Sequence, residues 1–434
     1  MKRQVLSEFS MLKVLGRVYF WLVMTFFISL ILDIRFIVSI STILLMANAI
    51  VYHRLEKGKW WNKSFVNWFT LGCFLYFLLQ VLSLSFAKNM YDGMRQCQTD
   101  LGLIALPVAA FYSNAINRES WGPMMKGYLL VLVSATVYAL IHASTLYIHD
   151  HDPSVYFYHP LVQIYSNHAI QFSTLVFVGM LFLVDEYSSR VNIKNPSWTI
   201  VLLIYLSVFL FLLTSKLVIT IYFIYIIYVL AFTGKIFSRR SYRLSGAAFI
   251  ALIIAVVLIS NNPLKKRMMQ EVNGGITFIR QDKFSPGDYF TGVQFRLISW
   301  RFVYEILNEK HRWLLGVSIG DSQDVLDKKY EDENMFTGGS SGNKTGYIGY
   351  HTHNQFLQAL LETGILGLLS IMITCAGLIR LGLKSKNASL IVLVFLLLCN
   401  CFTDAPLKTQ YGIILFVFFP LFMYKGSKPG TATG

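Results

Sequence analysis

The chain has 434 residues, of which 55% are hydrophobic and 14% charged, with a mean hydropathy of +0.53. That balance excludes an ordinary soluble domain, because several apolar runs reach the roughly 20 residues a helix needs to cross a bilayer. A net charge of +15 would suggest nucleic acid in a soluble protein, but here the basic residues lie between apolar runs and point to membrane topology, so no nucleic-acid partner is expected.

In chain order the apolar runs give about twelve spans, at roughly 18–33, 36–53, 65–87, 98–114, 124–147, 169–186, 198–213, 216–233, 243–260, 354–379, 388–403 and 409–424. The first run is followed by a charged turn and a second apolar run, without a small-residue cleavage site, so no cleavable signal peptide is expected. Asp100 falls inside the fourth span. Lys and Arg gather in alternate loops, as at Lys57, Lys59 and Lys63, at Lys235, Arg239 and Arg240, and at Arg380, Lys384 and Lys386. The intervening short loops hold Arg35, Lys88, Arg95, Lys216 and Lys408. The positive-inside rule then places both termini in the cytoplasm and the long loop outside it. The expected fold is an all-α polytopic membrane protein: nine N-terminal spans (1–260), one large periplasmic loop with short amphipathic helices (261–353), and three C-terminal spans with a short cytoplasmic tail (354–434).

The five cysteines show no C-x-x-C spacing and mostly fall inside apolar runs, so they read as small core residues. The outer loop at 148–168 has four histidines and no Lys or Arg, and ends in the Asn167-His168 pair. Thr214-Ser215-Lys216 makes a tight hairpin with a cation at its tip. In the long loop, Val293, Leu297, Trp300, Tyr304 and Leu307 recur at helical spacing and predict an amphipathic helix. Arg296 and Arg301 lie ~140° apart on it, so the two cannot point into one pocket.

The stretch from Tyr350 to Gly367 is the most informative. Thr352 with Gln355 forms a capping-box pattern, which predicts a helix starting there with His353 in its first turn. The positive end of the helix dipole favours an uncharged ring, able to accept a proton from a hydroxyl. His353, Leu357, Leu360, Gly364 and Gly367 fall on one stripe, so the glycines are expected to form a close helix–helix seam. Glu362 points the opposite way, with no partner identifiable from sequence. His351 and His353 with His149 or His159 lack the spaced carboxylate or cysteine set of a zinc site, so no metal and no cofactor are expected.

The string His353-Asn354, nine residues, Gly364, two residues, Gly367 resembles the signature of bacterial O-antigen ligases. Their superfamily includes O-antigen polymerases and bacterial O-oligosaccharyltransferases. The segment from Gly292 through Arg296 to Trp300, followed by Leu315-Gly-Val-Ser-Ile-Gly320, is similar to a second block of that family, whose arginine lies against a lipid-linked diphosphate. Relatives commonly carry Ser-Arg at the hairpin tip, where this chain has Ser215-Lys216 and so loses the bidentate fork.

The resemblance implies an inverting, metal-independent glycosyltransferase of the bacterial inner membrane, its site facing the periplasm. It would move a glycan from undecaprenyl diphosphate to an acceptor hydroxyl, with lipid A-core as the first choice of acceptor. A second lipid-linked glycan (a polymerase) and a protein Ser or Thr remain open. A polysaccharide or lipid transporter is the non-enzymatic alternative, although no internal repeat is visible. His353 is assigned as general base, and Arg296 with Lys216 as diphosphate ligands. Asn354, Tyr350, His351, Arg301, Asn167 and His168 are candidates for shaping the substrate site.

The topology is testable directly. A reporter active only outside the cytoplasm should be active when fused near Gly339 and silent near Ser241 and at the C-terminus. Activity at Ser241 would overturn the span assignment.

Overall fold

The computed structural model describes residues 2–165, 168–189, 196–232, 277–288, 290–338 and 346–427, and these are overwhelmingly helical. Helices α1 (Lys2–Ile31) and α2 (Arg35–Lys57) form a hairpin, and α2 stops at Gly58, which takes a left-handed conformation and donates its N–H to Arg54 O. Helix α3 (Trp68–Ser83) opens on a capping box between Asn67 and Thr70. Next come α4 (Met90–Asp100), α5 (Gly102–Tyr112), α6 (Arg118–Asp150), the short α7 (Tyr158–Val162), α8 (Ala169–Ser189), α9 (Pro196–Leu212) and α10 (Lys216–Phe232). The later elements are α11 (Gly292–Glu309), α12 (Ser322–Asp332), α13 (Gln355–Ser385), α14 (Ala388–Thr403) and α15 (Gln410–Ser427).

Among the described residues, six helices are long and apolar enough to cross a membrane: Ser10–Ile31, Arg35–Lys57, Trp68–Phe86, Glu119–Asp150, Ala169–Glu186 and Gln355–Ser385. Four shorter apolar helices coincide with the expected seventh, eighth, eleventh and twelfth spans. The expected ninth span lies outside the described residues. The expected fourth span is divided, because α4 ends at Asp100 and α5 begins at Gly102. The carboxylate therefore sits at a junction between two helices.

The core is organised around α15, which is apolar on every side. From Tyr411 to Tyr424 all its residues are buried, as expected of a helix enclosed by others. Its phenylalanines interlock with α1, α6 and α8: the rings of Phe26 and Phe418 are 4.7 Å apart, and those of Trp121 and Phe422 4.6 Å. Helices α3 and α13 approach most closely at Gly72 and Gly377, where an added Cβ would overlap the backbone of the opposite helix. This is the close helix seam, and it lies further along α13 than Gly364 and Gly367.

Residues 277–338, part of the loop expected on the outer side and so called the outer segment, have a second core of their own. Phe284, Phe290, Phe295, Ile298, Phe302, Ile306, Leu326 and Tyr330 pack together and against Leu360 and Leu361 of α13. The buried face of α11 is thus roughly opposite the expected stripe, of which Leu307 alone is buried, and Val293 and Tyr304 are exposed. Both faces are apolar, but the stripe through Phe295, Ile298, Phe302 and Ile306 carries the larger continuous surface.

Helix α13 is broken at Gly364, whose φ of 67° and ψ of −159° are outside the helical region. The extended run before α12 crosses this break and binds it backbone to backbone. Val317 N donates to Leu361 O (2.8 Å), Ser318 N to Glu362 O (3.0 Å), and Ile365 N to Trp313 O (2.9 Å). Gly316 faces the Glu362 carbonyl, and Gly364 faces the backbone of Leu314, so a Cβ at either position would collide with main chain. Gly367 faces Thr363 of its own helix.

Gly364→Ala should therefore lower stability by more than about 1 kcal/mol, from the positive φ alone, with the collision adding to it. Gly287→Ala, which meets nothing within 4 Å, is the matched control. Equal thermal midpoints of the two variants in detergent would show that the outer segment does not bind the break.

Candidate functional site

The start of α13 sets the site. Its N-cap is Asn354, whose Oδ1 accepts the N–H groups of Phe356 (3.0 Å) and Leu357 (3.1 Å). Thr352 does not cap; its hydroxyl donates to Asn354 O and Gln358 Oε1, each at 3.0 Å. The helix thus begins later than the capping-box pattern predicts, and His353 lies before the cap, not in the first turn. Its φ is 48°, a left-handed conformation that swings its ring out of the helix line. Helix α11 grips the same turn, since Trp300 Nε1 donates to Thr352 O at 3.1 Å and Ser299 Oγ does so at 3.3 Å.

This turn and the end of α14 bring two imidazoles onto one carboxylate. His353 Nδ1 lies 3.4 Å and His351 Nε2 3.5 Å from Asp404 Oδ1, and the ring centroids are 4.3 Å apart. The backbone N–H of His353 donates to His351 Nδ1 at 3.0 Å, so neutral His351 carries its proton on Nε2, facing Asp404. Burial, reinforced by the neighbouring His353, lowers the His351 pKa to about 4. Burial works to raise Asp404, but the hydrogen bond from His353 and the charges of both histidines outweigh it and hold the carboxyl at about 2. With Nδ1–H of His353 directed at Asp404, Nε2 is left as a proton acceptor, the orientation a carboxylate imposes in hydrolytic triads.

His351, His353 and Asp404 also bring three ligand atoms within 4.8 Å of one another, close enough to consider a metal. The donor set does not fit one as arranged. A metal on His351 Nε2 would move the ring proton to Nδ1, where it would meet the N–H of His353.

All three residues line a cleft of about 730 Å³, together with Arg35, Arg95, Gln96, His168, Gln323 and Lys408. Arg296 is not in its lining but stands next to it: Nε donates to Thr403 O (2.9 Å), the carbonyl immediately before Asp404, and Nη1 to Gly292 O (3.2 Å). Arg301 is on another face, in an ion pair with Glu305 at 3.1 Å and bonded to the carbonyls of Ile279 and Gln281. Lys216 is the first residue of α10 and lies outside the cleft lining. Tyr350 is partly exposed and packs edge-on to Phe295 beside His353. Asn167 lies outside the described residues. Glu362 acquires a partner: it is fully buried, with Lys408 Nζ 2.8 Å from Oε1.

Reasoning from sequence missed Asp404 and Lys408. A signal was present, since Thr403-Asp404-Ala405-Pro406 is a short polar turn between two apolar runs, on the side assigned to His353.

The O-antigen ligase family model matches residues 201–372. This stretch contains Lys216, Arg296, His353, Gly364 and Gly367, and ends before Asp404. Over this stretch the chain is similar to O-antigen ligases, in line with the resemblance carried by the His353 string. Among curated proteins, none matches the chain.

The histidine pair predicts a pH signature. Between pH 6.5 and about 4 the unfolded chain protonates His351 while the folded chain does not, so stability falls as the pH drops through that window. The stabilisation from Asp404 is complete above its ordinary value of 3.8 and is lost only as the pH approaches 2. The thermal midpoint should therefore decline from pH 6.5 to 4, and less steeply in His351→Gln. Identical slopes would remove His351 from the buried neutral state.

Proposed function

We propose that this protein is an inverting, metal-independent glycosyltransferase of the bacterial inner membrane. It moves a glycan from undecaprenyl diphosphate to an acceptor hydroxyl on the periplasmic face, with O-antigen ligation to lipid A-core as the first reading. The observation that carries this is the His353 imidazole, 3.4 Å from Asp404 on the wall of a large cleft, with the guanidinium of Arg296 anchored one residue away.

The chemistry follows from these groups. The donor's anomeric carbon already carries its leaving group, so the protein must supply a base for the acceptor and cations for the departing diphosphate. His353 Nε2 takes the proton of the acceptor hydroxyl, and Asp404 stabilises the imidazolium that forms. The hydroxyl oxygen attacks the anomeric carbon in line as the bond to the diphosphate oxygen breaks, which inverts the configuration. Arg296 has donors left after its two backbone bonds, and a guanidinium fork suits phosphate oxygens. Fixed cations of this kind stabilise developing charge without reorganising, the role a divalent metal takes elsewhere. Lys216, from the α9–α10 hairpin, is an outlying member of the cationic set. Tyr350, His351, Asn354 and His168 shape the acceptor side.

His353→Gln should remain folded and bind donor, yet lose activity by about 10²–10⁴-fold, and Asp404→Asn should fall in the same direction. Near-parental turnover of His353→Gln at saturating substrates would leave the histidine no part in the chemistry.

Arg296→Ala should nearly abolish transfer and weaken donor binding, with Arg296→Lys a partial rescue. Arg301→Ala should chiefly affect stability. The reverse pattern would mean that Arg301 meets the donor. Incubating the lipid-linked donor with lipid A-core, with a second donor, or with a Ser/Thr peptide identifies the acceptor; a product from the second donor alone would make the protein a polymerase.

A further inference from the structure

Glu362 and Lys408 form a buried ion pair that the proposed chemistry leaves unused. A fully buried carboxylate is costly unless every lone pair finds a donor. Here Oε1 receives Lys408 Nζ and Gln358 Nε2, each at 2.8 Å, and Oε2 receives the Tyr76 hydroxyl at 3.1 Å. The backbone around Lys408 is fixed as well. Gln355 Oε1 accepts the N–H of Leu407 at 2.8 Å, which ties the Pro406–Lys408 turn to the first turn of α13.

Pairs of this kind are poor sources of stability, since apolar residues of similar volume often do as well or better. What this pair achieves is a lysine side chain held in one place. The lysine side chain is 16% exposed and lines the same cleft as His351, His353 and Asp404. Lys408 and Arg296 both act electrostatically on His351, so the two cations lie near the histidine pair. Among the described residues the ammonium has one hydrogen-bond partner, Glu362.

We infer that Lys408, held in position by Glu362, is a second ligand of the donor diphosphate, binding its oxygens alongside Arg296. It fills the place that sequence alone assigns to Lys216. The inference rests on the transfer reaction proposed above. Glu362 is on this account a positioning residue: it does not touch substrate but fixes the ammonium that does.

The test uses the full-length protein in detergent, with undecaprenyl diphosphate as the binding probe and a transfer assay for the two KM values. Lys408→Ala alone would strand the charge of Glu362, so the informative variant is Glu362→Gln with Lys408→Met, which removes both charges at similar volume. That double variant should keep the parental thermal midpoint, bind the probe roughly 10- to 100-fold more weakly and raise donor KM by a like factor, with acceptor KM unmoved. Lys408→Arg should stay within a few-fold of the parent. Parental affinity in the folded double variant overturns the inference, as does a donor defect in Lys216→Ala that the double variant lacks. A measurement on the parent needs no variant: the probe should protect Lys408 from an amine-directed reagent, and unchanged labelling overturns the assignment. Failure of the parent itself to bind the probe would instead remove the transfer reading on which the inference stands.

Discussion

A helix in an apolar surrounding cannot be interrupted unless the backbone groups it frees find partners within the protein. The break at Gly364 meets that constraint through the extended run before α12, which supplies two donors and one acceptor to α13. Much else follows from it. Gly316 and Gly364 must both be glycine, because each faces the other segment's main chain and each has a positive φ. The outer core is pressed against Leu360 and Leu361, and α11 can then hold Thr352 O from the side. The first half of α13, with the histidine turn before it, belongs mechanically to the outer segment as much as to the helix bundle.

On that support the site is assembled by charge. One carboxylate, Asp404, faces two imidazoles, and it stays ionised because they outweigh the cost of its burial. The two rings are not equivalent. A backbone N–H decides which nitrogen of His351 carries the proton, and burial keeps that ring neutral. Among the described residues no backbone group fixes the His353 ring, whose Nδ1 faces Asp404. Two cations stand nearby, Arg296 tethered to the end of α14 and Lys408 to Glu362.

How far the site could be read from sequence depended on whether its parts were local. The His353-Asn354 string with its two glycines is contiguous, and it marks the turn that carries His351 and His353 beside Asp404. Its register was misjudged because Asn354 outcompetes Thr352 as the cap, and because helical periodicity stops applying once Gly364 leaves the helical region. The face of α11 was misjudged because stripes on opposite sides of it are both apolar, and the choice between them is made by the outer core. Asp404 and Lys408 were missed for a different reason. Their meaning lies in contacts with His353 and Glu362, more than forty residues away in sequence, and no local pattern encodes those contacts. Most helix positions were legible, since long apolar runs depend little on context; the division at Asp100 was not, since it depends on what packs at the junction.

The bridge across Gly364 also makes the geometry of one helix depend on a distant stretch of chain. The carbonyls of Leu361 and Glu362 take their donors from Val317 and Ser318, more than forty residues earlier, so the hydrogen bonding of α13 is completed by tertiary contact and not by the helix itself.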